Sequence, residues 1–455
     1  MAVDYALVPR HYRRGAGGAP DQIVLWAGAM ARGSAPRPPQ GELQLGDACA
    51  PVPWRHAFEG RVYTDEIAVP LPAQVSEARL VIDGVTRATA RVGAPPGALP
   101  GPGERPFTVL VGSCYCVAND RDARLARAAA LLARENASPD VKFLCGDQVY
   151  IDTPPNYAWA PRERAELLDK FLGDYIDTWS ERGLLPLLRQ GATYFTSDDH
   201  EFWNEYPAMR GQGGRTPTWE SLARGLFEVF QRREDPEPLD ACGLSFFALD
   251  TRLDRDETLD RFAPPARLAA LEAWLGSLQG PGVLVLGETF FGEKRSVGVS
   301  LTRLVGDLIS QPTISGTLVE FAQYRELAAL LARSKKTVIL VAGDVHWGRI
   351  ADCRLPNGTR LLEVVSSPLT LVDGGLSRLG RPWTRAPSPF EAGGLSGEVH
   401  TVGGSPGHPY KAEHDHFCTL EFSRPAAGPG VHLAVRHWSV DAHQRTGDIV
   451  FETTL

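Results

Sequence analysis

Three apolar runs in this chain each break into a turn that carries acidic, phenolic or imidazole side chains, and that repeat constrains the fold more than any other feature. Phe143-Leu-Cys-Gly-Asp-Gln-Val-Tyr150 breaks at Gly146 and then presents Asp147 and Tyr150. Thr193-Tyr-Phe-Thr-Ser-Asp-Asp-His-Glu201 ends in acids and a histidine, and Thr337-Val-Ile-Leu-Val-Ala-Gly-Asp-Val-His346 ends in Gly-Asp-x-His. Short apolar runs closed by turn residues read as buried strands, and in α/β sheets ligands collect beyond the carboxyl ends of the strands. Three such ends can bring their side chains to one point.

The surrounding pattern supports a layered α/β domain. Strands are expected at 107–111, 141–145, 245–250, 283–286, 337–342 and 360–366. Helices are expected at 122–137, 162–189, 218–233, 265–279 and 320–333, and two or three closing strands around 416–423, 431–438 and 448–453. Residues 1–105 differ: they hold short β-like runs, Gly/Pro-rich turns and almost no helical periodicity, which predicts a small N-terminal β-sandwich. Gly93-Ala-Pro-Pro-Gly-Ala-Leu-Pro-Gly-Pro-Gly103 reads as a linker to a second unit over 106–455. Residues 371–413, rich in Gly, Ser and Pro without period, read as a long loop of the kind that serves function or lacks order.

A chain of 455 residues exceeds one ordinary core, and 43% hydrophobic with 22% charged residues is a globular composition. No run approaches the roughly 20 apolar residues of a membrane span. Seven cysteines without framework spacing argue against a disulfide-stapled fold. A formal net charge of −8 disfavours a broad nucleic-acid surface, without excluding a phosphate ester met in a cleft. Arg13-Arg14 is not followed by an apolar segment, so the compartment expected is the cytoplasm unless a leader was removed.

Metals that activate water and hold a phosphoryl oxygen work well as a pair about 3.5 to 4 Å apart. Asp147 stands where a bridging carboxylate is needed, and Tyr150 offers a phenolate to a strongly Lewis-acidic ion. Cys114 and His346 suit the softer site. Asp199 and Asp344 offer oxygen to a hard cation such as calcium, magnesium or manganese. His200 is the candidate to protonate the leaving oxygen. Arg252 is a candidate phosphate clamp, with a structural ion pair as its equal alternative, and Asn204 is a weaker candidate for substrate or the second metal.

Val111-Gly-Ser-Cys114, Gly146-Asp-Gln-Val-Tyr150, Asp198-Asp-His-Glu201, Leu249-Asp-Thr-Arg252 and Gly343-Asp-Val-His346 occur in the order seen in the PhoD-like alkaline phosphatases. These are a branch of the calcineurin-like metallophosphoesterases, and the chain resembles them over roughly 106–370. The resemblance implies a metallophosphoesterase core preceded by a β-sandwich. It also implies hydrolysis of phosphodiesters or phosphomonoesters by a metal-bound hydroxide, with ferric iron and calcium; manganese, magnesium or zinc are substitutes. Cys114, Asp147, Tyr150 and His346 would hold iron, Asp147, Asp199 and Asp344 calcium, and His200 would be the acid.

Blander assignments stand beside these. Cys116 and Cys145 read as small buried residues, and the aromatic residues of 162–233 as core. Leu286-Gly-Glu-Thr-Phe-Phe291 corresponds to nothing in the family pattern, and His414-Asp-His416 has ligand-like spacing on one face of an incoming strand, with a second metal site as the minor alternative. A non-catalytic metal- or phosphate-binding module, or a hydrolase of lipid head groups or nucleotides, are the rival functions.

Overall fold

A computed structural model describes residues 3–455 except 16–20, 34–37, 47, 73, 155, 293–316, 371–387, 406 and 442–445. Two central sheets carry the fold. One has six strands, with Phe107–Gly112, Val141–Cys145 and Ala192–Thr196 parallel at one side and His416–Ser423, His432–Ser439 and Asp448–Thr454 antiparallel at the other. The other is mixed: Leu244–Ala248, Gly282–Val285, Thr337–Ala342 and Arg360–Val365 run parallel, and Gly348–Arg354 pairs antiparallel with Arg360–Val365 and, on its other side, with Val399–Thr401 and Lys411–Ala412.

Alternate residues of each strand face alternate sides, so each sheet buries two faces. Val109, Val111 and Phe143 share one core with Phe246, Val283, Ile339 and Val364, which places the two sheets face to face. Leu110, Leu144 and Phe195 point outward into a second core with the helices Arg124–Arg134, Arg164–Thr178 and Pro217–Phe230. Leu284, Val338 and Leu340 do the same on the far side with Pro265–Ser277 and Tyr324–Ala332. The result is a helix–sheet–sheet–helix stack. Before it come two four-stranded antiparallel sheets that form the expected N-terminal sandwich. Their contact with the stack includes Trp26 Nε1 donating to the Val229 carbonyl at 2.8 Å.

Three expectations need correction. The single helix at 162–189 is two, Arg164–Thr178 and Leu185–Leu188, because Trp179 turns into the core and Gly183 sits against the Thr178 carbonyl too closely for any Cβ. The strand Gly348–Arg354 went unread: it begins only two residues after His346, and its Arg349, Asp352 and Arg354 break the apolar run by which the other central strands were read. The 371–413 loop is not structureless in its second half, which forms the short strands Phe390–Ala392, Leu395–Gly397, Val399–Thr401 and Lys411–Ala412. Its first part, 371–387, lies outside the described residues.

Candidate metal centre

The parallel strands of both sheets end at the same edge of the stack, and the turns that follow them carry every residue of the centre. Cys114 follows Phe107–Gly112, Asp147 and Tyr150 follow Val141–Cys145, and Asp199 and His200 follow Ala192–Thr196. Arg252 follows Leu244–Ala248, and Asp344 and His346 follow Thr337–Ala342. Close approach of these turns depends on two glycines. A Cβ at Gly146, whose φ is +83°, would lie 2.4 Å from Asp198 Cβ, and one at Gly343 would lie 2.3 Å from Ser113 Oγ.

Four of the candidate ligands adopt left-handed backbone: Cys114 (φ 59°), Asp147 (58°), Asp344 (67°) and His346 (56°). Such conformations are uncommon for side-chain-bearing residues and persist where surrounding structure over-determines them. Here the fastening is visible. Cys114 N–H donates to the Gly146 carbonyl at 3.2 Å and Tyr115 N–H to the Asp147 carbonyl at 2.7 Å. Glu201, fully buried, accepts from the backbone N–H groups of Asp147 (2.9 Å), Gln148 (2.6 Å) and Asp198 (2.9 Å), so one carboxylate ties two ligand-bearing turns together.

Cys114 Sγ lies 3.5 Å from Asp147 Oδ2, and Tyr150 Oη is 3.3 Å from the same oxygen and 3.4 Å from His346 Nε2. Cys114, Asp147 and His346 each offer a ligand atom within 4.8 Å of the other two, and Asp147, Asp199 and His200 form a second such group. Asp147 therefore belongs to both. The expected position of Asp344 is different: it groups with Asp198 and Glu288, two acids that had no assigned role.

Burial first, then Asp147 and Asp344, pushes the Cys114 thiol well up; burial and the Asp147 charge do the same to the Tyr150 phenol. Burial, helped by Asp199, Glu201 and Asp344 and opposed by His200, raises Asp147 far above the ordinary carboxylate range. Thiol, phenol and carboxyl crowd together in a setting that disfavours all their anions, and a multivalent cation reverses that preference. Asp198 Oδ2 and Glu288 Oε2 are buried and without hydrogen-bond partners. The donor set fits a metal pair: sulfur, nitrogen and phenol oxygen on one side of Asp147, carboxylate oxygen on the other.

His200 stacks on the Tyr150 ring with centroids 4.1 Å apart. Its Nδ1 lies 2.9 and 3.0 Å from the two oxygens of Asp152, and its Nε2 lies 4.0 Å from Asp199 Oδ1. Burial alone would lower the imidazole's pKa, but Asp152, Asp199 and Asp147 outweigh it and hold it well above the usual value. Asp152 and Glu201 were not read as site residues. Asp152 lies only two positions beyond Tyr150, and Glu201 closes the Asp-Asp-His-Glu run; their shared signal was position within turns already singled out.

Arg252 does not reach out to solvent. It is 3% exposed, its Nε donates to Asp198 at 2.6 Å, its Nη1 to the Tyr206 carbonyl at 2.9 Å, and its Nη2 pairs with Glu288. The ion-pair alternative describes its position, and Asp198 and Glu288 take the guanidinium fork that a phosphate clamp needs. Asn204 is exposed, and its backbone N–H donates to Asp152 at 2.6 Å. Glu288 carried a missed signal, because Leu286-Gly-Glu288 after Gly282–Val285 repeats the strand-glycine-acid design of the other turns.

No protein-family model matches the sequence, and no curated protein matches it. Among solved structures, the chain is similar to one titled "Structure of PhoD", with a TM-score of 0.57 at 16% identity, covering 99% of this chain and 92% of that one. The fold is PhoD-like.

Proposed function

We propose that this protein is a metal-dependent phosphoesterase of the PhoD type, acting on phosphodiesters or phosphomonoesters. The observation that carries the reading is the meeting of Cys114, Asp147, Tyr150 and His346 around one point, with His200 beside Asp147 on the adjoining turn. By this reading, residues 106–455 are the catalytic unit and 1–105 a sandwich domain packed on it.

Cys114, Asp147, Tyr150 and His346 would hold a ferric ion, and Asp147 and Asp199 would share in holding calcium or another hard divalent ion. Asp344, Asp198 and Glu288 would add carboxylate charge beside the calcium. The metals, when bound, supply Lewis acidity toward the phosphoryl oxygen and an acidified water. The protein's own residues do the rest. His200, fixed by Asp152 and by stacking on Tyr150, holds a proton for the departing alkoxide. Asp344, His346 and His200 are the partly exposed members of the centre, so a small ester meets it from their side. Arg252 compensates the buried Asp198 and Glu288 charges and keeps both carboxylates in place.

Hydrolysis of a chromogenic phosphodiester beside its monoester tests the reading, with chelator and then with iron and calcium restored. Chelator-sensitive cleavage rescued by the two metals is the expected result. Metal uptake without turnover on either ester would sink the enzymatic reading in favour of a binding module.

A further inference from the structure

A second cluster of metal-ligating side chains lies away from the turns described above, on the antiparallel side of the six-stranded sheet. His416 and Cys418 are two residues apart on one strand and so share a face, and Cys418 is directly paired with His437 on the next strand. His416, Cys418 and His437 each offer an atom within 4.8 Å of the other two, and all three are buried. His414 stands beside them, its Nε2 3.0 Å from His437 Nε2.

The hydrogen bonds around this cluster are those of a metal site's outer shell. His416 Nδ1 lies 2.7 Å from the His414 carbonyl, which can only accept, so Nδ1 carries the proton and Nε2 the lone pair. That Nε2 is fully buried and has no partner. His437 Nδ1 lies 2.8 Å from Tyr410 Oη, and Tyr410 Oη is 3.6 Å from Cys418 Sγ. One proton arrangement satisfies the whole chain: Nδ1–H of His437 donates to Tyr410, and Tyr410 O–H donates to a Cys418 thiolate. It leaves the Nε2 lone pair of His416 free and turns that of His437 toward His414 Nε2. Ligating histidines are oriented in this way by donating their other N–H to a carbonyl or similar acceptor.

The backbone approaches the unpartnered nitrogen closely at a glycine. A Cβ at Gly348 would stand 2.5 Å from His416 Nε2, although the backbone there needs no glycine conformation. A neutral hydrogen-bonded cluster leaves the buried His416 Nε2 orphaned.

We infer that His416, Cys418 and His437, with His414 beside them, form a site for a borderline divalent transition metal, zinc being the best match. Imidazole with thiolate selects such ions. The Cys418 thiol proton is released on binding. The site is linked to the first centre by hydrogen bonds through the segment Ser366-Ser367-Pro368. Cys418 N–H donates to Ser366 Oγ and His416 N–H to the Pro368 carbonyl, while Ser367 Oγ between them contacts Cys114 Sγ at 3.1 Å and accepts from His346 N–H at 3.1 Å. A metal here would brace the segment that holds the back of the first centre.

The test uses full-length Cys114→Ser protein, in which the thiol of the first centre is gone, stripped of metal and reloaded with Co2+ or Zn2+. The expected results are a thiolate-to-cobalt absorption band and, by X-ray absorption, a zinc shell with one sulfur at about 2.3 Å and nitrogens at about 2.0 to 2.1 Å. Adding Cys418→Ser should abolish the band, and adding Gly348→Ala instead should weaken uptake at least tenfold. A shell of only light atoms, or a band that survives Cys418→Ser, overturns the inference. If the Cys418→Ser protein does not fold, the shell in the Cys114→Ser protein decides by itself. Phosphoesterase activity enters none of these readings, so failure of one proposal leaves the other standing.

Discussion

Asp152 stands 2.9 Å from His200 Nδ1 and, through its other oxygen, accepts the Asn204 backbone N–H at 2.6 Å. One carboxylate therefore fixes both the imidazole's proton and the loop beyond it. His200 owes its raised pKa to Asp152 first among its neighbours' charges. The imidazolium is accordingly the form present at neutral pH, and activity that needs it is lost as pH rises through the raised value.

Asp152→Asn should move the alkaline limb of the pH–kcat/KM profile to lower pH and reduce turnover by about 10- to 100-fold. His200→Ala should remove about 10²- to 10⁴-fold on esters with poor leaving groups and much less on good ones. A pH profile unchanged in Asp152→Asn would dissociate the pair from the reaction.

Metal removal should make stability fall with rising pH. Burial, with Glu288 and Asp199 adding, raises Asp344 to about 7, and burial raises Glu201 to about 7 against its hydrogen bonds. Carboxyls whose folded pKa exceeds the unfolded value bind more protons when folded, so their contribution is intact below about 4. It is lost as pH climbs through about 7. Chelated protein should therefore melt lower at pH 8 than at pH 5.5, and reloading metal should shrink that difference. Calorimetry on both forms checks this.

Gly146→Ala should cost at least about 1 to 3 kcal/mol and abolish metal uptake. The substitution combines a left-handed φ with a Cβ driven into Asp198, separating the two turns that Glu201 ties. Denaturant unfolding and metal analysis of the variant give the answer; wild-type stability would mean the turns can part without harm.

Arg252→Ala should destabilise the fold by about 3 to 5 kcal/mol, because Asp198 would lose its buried counter-ion and Glu288 would keep only Arg255. Arg252→Lys should recover part of this. A stable Arg252→Ala protein with only a raised KM would restore the phosphate-clamp role.

Most of the architecture was legible because its signals are local. The runs at 107–111, 141–145 and 337–342 are apolar enough to need burial on both faces, and the helices at 218–233 and 265–279 announce themselves by capping threonine or proline and apolar spacing. The centre was legible for the same reason, since strand, glycine and acid are neighbours in the chain. Asp198, Glu288 and Asp152 were not, because a second acid in a turn looks like solvated charge until another turn is brought beside it.

The sequence by itself determined which turns carry chemistry and that they lie at strand ends, through side-chain period and the residues that break it. Only the tertiary structure decided which side chains meet. Strand order brings Cys114, Asp147 and His346 together across two sheets, turns Arg252 inward onto Asp198 and Glu288, and pairs Cys418 with His437. Contacts between residues far apart in the chain depend on register and packing, and composition or spacing along the chain contains neither.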